Sequence, residues 1–100
     1  MERNDTQIKS TIEKIIFLLQ KNDEADWVTI FEKILDKFSY TKNKKEVVRE
    51  IIDIYKGGIG SFSDLILQKD MKMLIDENEQ LAKLKHDLYN SCLNFLEGNK

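Results

Sequence analysis

The sequence predicts an all-α fold, a compact bundle of about five helices in a single domain over residues 1–100, and three observations carry that prediction. Apolar residues recur at three- and four-residue spacing along nearly the whole chain, the period of a helix with one buried face. Proline, the residue that most strongly interrupts a helix, is absent from the 100 residues. Glycine occurs four times, and Gly57, Gly58 and Gly60 fall within four positions, so the chain has one marked break.

The first helix is expected from about Thr6 to Gln20. Ile8, Ile12, Ile15, Ile16 and Leu19 form its stripe, and Phe17 with Leu18 widens it, which predicts a central helix covered on more than one side. Asn22 or Asp23 is the expected cap of a second helix, about Glu24 to Ser39, with Glu24 and Asp26 in the first turn where the helix dipole favours negative charge. Trp27, Ile30, Phe31, Ile34, Leu35 and Phe38 follow the spacing of its buried face. Asn43 and Glu46 have the spacing of a capping box for a third helix, about Lys44 to Lys56, that buries Val47, Val48, Ile51, Ile52, Ile54 and Tyr55.

Gly57 stands where a helix commonly closes on a left-handed residue. Ser61, with Asp64 three positions later, is the expected cap of a fourth helix whose inner face is Phe62, Leu65 and Ile66. Around Met71, Met73, Leu74 and Ile75 the period weakens, and the segment reads either as a short helix plus a turn or as a continuation into the last helix. That final helix, about Glu77 to Glu97, carries Leu74, Leu81, Leu88 and Phe95 at seven-residue intervals and ends at Gly98. Residues 1–5 and 98–100 are expected to fray, and no segment alternates as a strand.

Composition narrows the function. Hydrophobic residues make up 41% and charged residues 34%, enough apolar material for one core under a polar surface. One cysteine, Cys92, excludes an internal disulfide and a cysteine-based metal site. The apolar run Ile15 to Leu19 is too short to cross a bilayer, and its flanks lack the pattern of a secretory signal, so a cytoplasmic location is expected. Net charge is −2, from 16 basic and 18 acidic residues mixed along the chain, which gives no field to draw a polyanion.

The residues that could carry chemistry read as structural. His86 and Cys92 lie six apart on one helix and so point to different faces; a solvent-facing histidine and a small core cysteine are expected. Asp76, Glu77 and Glu79 open a helix and lack the spacing of a calcium loop. The glycine turn invites comparison with a phosphate loop, yet it follows a helix, contains no lysine and places Asp64 where phosphate would sit. A helix-to-helix corner is the better reading. No catalytic residue, metal or cofactor is expected.

Trp27, followed by Tyr55-Lys56-Gly57-Gly58-Ile59-Gly60-Ser61-Phe62-Ser63-Asp64-Leu65, resembles a family of small bacterial helical proteins. Its signature is Trp, then Tyr-x-Gly-Gly-aliphatic-Gly-Ser-x-x-Asp-Leu, with Ile59 here where methionine is usual. Some members accompany toxin genes as immunity proteins of contact-dependent growth inhibition and other polymorphic-toxin systems. The resemblance implies a protein partner, a cognate toxin domain such as a nuclease, neutralised by occlusion of its active site. Acidic surfaces suit that task by imitating a phosphate substrate and speeding association. The candidates are Asp23, Glu24 and Asp26, and Asp70, Asp76, Glu77 and Glu79. The alternative is a helical regulator or adaptor that binds nucleic acid or a signalling partner through Lys37, Lys42, Lys44, Lys45 and Arg49, a segment interrupted by Glu46.

Overall fold

Helix α1 (Glu2–Lys21) is followed by α2 (Ala25–Tyr40), α3 (Lys44–Ile54), a 3-10 turn (Phe62–Asp64), strands β1 (Gln68–Lys69) and β2 (Lys72–Met73), and α4 (Ile75–Gly98). The computed structural model describes residues 2–56 and 61–98, with side chains from Asp5 onward. Gly57, Gly58, Ile59 and Gly60, on which the corner reading rests, lie outside the described residues. The all-α expectation holds, with four α-helices among the described residues instead of about five.

One hydrophobic cluster draws on every helix. Its spine is α1, where Ile8, Ile12, Ile15 and Leu19 are fully buried, and α1 packs against both α2 and α4. Leu18 joins the stripe; Phe17 does not, and is 69% exposed. In α2 the buried line is Val28, Phe31, Ile34 and Phe38, while Trp27 and Leu35 pack half-buried beside it and Ile30 faces outward. Helix α3 buries Val47, Val48, Ile51 and Ile52 and stops at Ile54, two residues before the expected end. The seven-residue stripe of α4 is buried at Leu81, Leu88 and Phe95.

The expected caps take different roles. Asp23 does not open α2. Its φ is 61°, and its N–H donates to Gln20 O at 3.3 Å while the N–H of Glu24 donates to Leu19 O at 3.0 Å. That bond pair closes α1 around a left-handed residue, the role glycine usually fills. Glu24 becomes the α2 cap position without a side-chain capping bond. Asn43 and Glu46 do meet, but through a side-chain bond, Asn43 Nδ2 to Glu46 Oε2 at 3.2 Å, instead of the reciprocal box.

The fourth expected helix shrinks to the single turn Phe62–Asp64, and the chain is extended from Leu65 onward. Helical backbone bonding loses there to side chains of α4. Asn78 Oδ1 accepts the Leu67 N–H at 2.8 Å, and Asn78 Nδ2 donates to Leu67 O at 2.9 Å and to Leu74 O at 2.8 Å. Leu67 is thereby fully buried with its backbone satisfied, and Ile66, expected inside, is 47% exposed. Gln68 to Met73 then form an antiparallel hairpin, with Gln68 opposite Met73 and Lys69 opposite Lys72. This replaces the short helix or helix extension expected around Met71 to Ile75.

Candidate functional site

Residues 61–75 form a strap laid over α4, and its anchor is Phe62. This ring is fully buried, 4.8 Å from Phe31, 5.3 Å from Trp27 and 5.3 Å from Tyr55 between centroids. The Phe31 and Tyr55 contacts are edge-on, the geometry ring quadrupoles favour. Lys85 Nζ lies 5.4 Å from the Phe62 centroid and donates to the carbonyls of Ser63 at 3.2 Å and Leu65 at 2.8 Å. Ser63 Oγ donates to Tyr55 O at 2.6 Å, and Tyr55 OH to Lys85 O at 2.7 Å. One lysine therefore ties the strap to α4.

Burial explains the protonation behaviour. Lys85 is lowered from its ordinary value by desolvation, partly opposed by the Asp64 carboxylate. Tyr55 is raised by burial and then by Cys92 and Tyr89, and the Cys92 thiol is pushed up to about 12 by burial. A thiol held neutral is a poor nucleophile. His86 is exposed, with Nε2 2.9 Å from Asn90 Nδ2. Among the described residues no group of three or more His, Cys, Asp or Glu side chains is placed to hold a metal ion.

The strap presents an unusual surface at its far end. The two loop residues of the hairpin, Asp70 and Met71, have φ of 54° and 66°, a turn that suits Asp at the first position and glycine at the second. Met71 occupies the second and is 97% exposed. Left-handed backbone costs a non-glycine residue roughly 1–2 kcal/mol, and Lys69 directly opposite Lys72 adds like-charge repulsion. Ile66, Met73 and Ile75 are also exposed, so four large apolar side chains lie on or beside this hairpin.

The acidic candidates fall on two elements. Asp23 and Glu24 border a shallow hollow at the α1–α2 corner with Gln20, Val28 and Thr29, and Asp26 sits in the first turn of α2. Asp70 is in the hairpin turn, Asp76 and Glu77 are in the first turn of α4, and Glu79 is exposed just beyond. The second group lies in the hairpin turn and in the chain that follows it, and the hairpin strands carry Lys69 and Lys72. Of the motif residues, Trp27, Ser61 and Asp64 surround or flank the Phe62 plug; Ser61 is buried without a side-chain capping bond.

Two side chains of the basic segment, Lys37 and Lys44, are engaged within the chain. Lys37 pairs with Glu50 at 3.1 Å. Lys44 Nζ donates to Phe38 O and lies 4.6 Å over the Phe38 ring, closing the last turn of α2. No local signal marked Asn78 or Lys85 in the sequence, because the backbone groups through which they hold residues 63–67 lie 11 to 22 residues away. For the exposed hairpin a signal did exist: Met71 and Met73 alternate with Asp70 and Lys72, where helical periodicity fades.

A family model described as a domain of unknown function (DUF6966) matches residues 20–75, from the end of α1 through the hairpin to the first residue of α4. Comparison with curated proteins gives no match, and neither does comparison with solved structures.

Proposed function

The chain belongs to this family, whose model covers more than half of it, and we propose that it works by binding another protein through the hairpin face, without catalysis of its own. The supporting observation is Met71, held in left-handed backbone and 97% exposed beside Ile66, Met73 and Ile75, with Asp70, Asp76 and Glu77 around them. Apolar side chains inside a charged rim are the usual anatomy of a protein interface, and strained backbone persists where function retains it. Methionine suits such a surface because its flexible thioether adapts to its partner.

In this reading the partner is a cognate toxin met in the cytoplasm, and the chain is an immunity protein that covers the toxin's active site. The resemblance in the Trp27 and Tyr55 to Leu65 motif supplies that partner class, and the acids beside the hairpin suit a phosphate-binding cleft such as that of a nuclease. The nucleic-acid or adaptor alternative has less support, since Lys37 and Lys44 are engaged within the chain.

The experiment uses the toxic domain of the large secreted protein expected in the adjacent gene, with binding measured at two salt concentrations. Wild type should bind and protect cells from the toxin. Met71→Gly should stabilise the fold by about 1 kcal/mol by relieving the turn, yet weaken binding at least roughly tenfold by removing an apolar anchor. Charge reversal at Asp76 and Glu77 should weaken binding most at low salt. Unaltered affinity in both variants removes the hairpin reading, and unaltered affinity after reversal of both acidic clusters removes substrate mimicry.

A further inference from the structure

Sulfur is divided between the core and the hairpin. The chain has three methionines and one cysteine, and Met1 lies outside the described residues. Cys92 is fully buried on α4, and burial holds its thiol neutral and away from oxidants in solution. Met71 and Met73 are the opposite case, 97% and 56% exposed on one hairpin. A thioether is neutral at every physiological pH, so its reactivity follows access to the sulfur and not titration.

We propose that Met71 is a site of reversible oxidation by hydroperoxides, and that its sulfoxide releases the partner from the hairpin face. The oxidation itself stands on exposure and position; its effect on binding rests on the hairpin reading of the function. The sulfur lone pair attacks one oxygen of hydrogen peroxide, and the S–O bond forms as the O–O bond breaks. The departing hydroxide takes the proton of the S–OH group, which leaves a sulfoxide and water. Sulfur gives up two electrons and the peroxide accepts them.

Position decides what the added oxygen does. Oxidation in a core disrupts packing, but Met71 stands in the turn and outside the hydrophobic cluster, so the fold keeps its contacts. Only the binding face changes, from a flexible apolar side chain to a polar, chiral one. A partner surface that receives the thioether must then strip water from the sulfoxide oxygen, and an apolar pocket returns no hydrogen bond for it. The backbone points the same way. Residue 71 is left-handed where glycine is favoured, so what methionine supplies there is its side chain. Methionine sulfoxide reductases, one for each sulfur epimer, reverse the change, and the tip of a two-strand hairpin is open to such an enzyme.

Hydrogen peroxide titration of the full chain, followed by peptide mass spectrometry, tests the site. Met71 should gain one oxygen first, Met73 should follow at least about twofold more slowly, and Cys92 should stay reduced until urea unfolds the chain. The urea midpoint of the singly oxidised protein should match that of the untreated one. Affinity for the toxic domain tests the switch. Oxidation should weaken binding about tenfold, reductase treatment should restore it, and Met71→Leu should bind as wild type before and after the same peroxide dose. Oxidation of Cys92 in the folded chain as fast as Met71 overturns the site. Unaltered affinity of the oxidised chain, where Met71→Gly has lost affinity, overturns the switch and leaves the hairpin reading standing. No binding by wild type, or wild-type affinity in Met71→Gly, removes the hairpin reading and the switch with it.

Discussion

The helical bundle and the strap over residues 61–75 are held by different physics. In the bundle, α1, α2 and α4 bury apolar stripes, and Ile8, Ile12, Ile15, Leu19, Phe31, Phe38 and Leu88 are all fully excluded from water. Burial scales with area and needs no particular partner. The strap has one plug, Phe62, one further buried apolar side chain, Leu67, and otherwise depends on directed bonds from Lys85 and Asn78 to its backbone. Directed bonds hold a chain in an extended path that hydrophobic spacing would have coiled. They also let a turn as unfavourable as Asp70-Met71 persist, since the hairpin is fixed at its base.

The largest test of this contrast is Phe62→Ala. The ring touches Trp27, Phe31 and Tyr55, and its removal should cost about 3–5 kcal/mol in urea denaturation, the range of a large core deletion. A cost under about 1 kcal/mol would mean that the strap is not anchored in the common core.

Alkaline titration comes next. The Cys92 thiol and Tyr55 hydroxyl are both raised in the fold, so the unfolded chain releases these protons first as pH rises. The contribution of these two groups should be level below about pH 8.5 and fall above about 9 for Cys92 and above about 10 for Tyr55, by up to about 1.4 kcal/mol per pH unit for each group. Lys85 acts in the opposite sense: its lowered value means that the fold gains stability with rising pH until the ordinary lysine range is reached. The two raised groups outnumber it above about pH 10, where Tyr55 joins Cys92 and the net fall is expected. Cys92→Ala should remove the onset between about 9 and 10, read as the urea midpoint against pH.

Asp23→Gly should give the smallest effect, a gain of about 0.5–1 kcal/mol, because glycine suits the left-handed position that closes α1.

How much the sequence revealed follows the same division. Wherever burial alone decided structure, spacing was sufficient: α2, α3 and α4 lie within two residues of their expected bounds, and α1 differs only in beginning four residues earlier, at Glu2. Individual orientations at the edge of a stripe were less legible. Phe17 and Ile30 fit the helical period, yet each lies just beyond the arc its neighbours cover. The strap was misread because Phe62, Leu65 and Ile66 have helical spacing, and nothing local shows that Asn78 captures Leu67 or that Lys85 captures Ser63 and Leu65. The hairpin was missed because its turn carries methionine where the common signal is glycine. For the candidate site, Asp70, Asp76 and Glu77 were readable as an acidic group, whereas their apolar neighbours became informative only once Met71 and Ile75 were seen to be exposed.

Native-state hydrogen exchange in graded urea addresses the division most directly. The Leu67 and Leu74 amides, bonded to Asn78 Oδ1 and Leu67 O, should open together with a lower free energy and a shallower urea dependence than the Ile15 and Ile34 amides of α1 and α2. Convergence of all four on one opening energy and one slope would contradict it, showing that the strap and the bundle are a single cooperative unit.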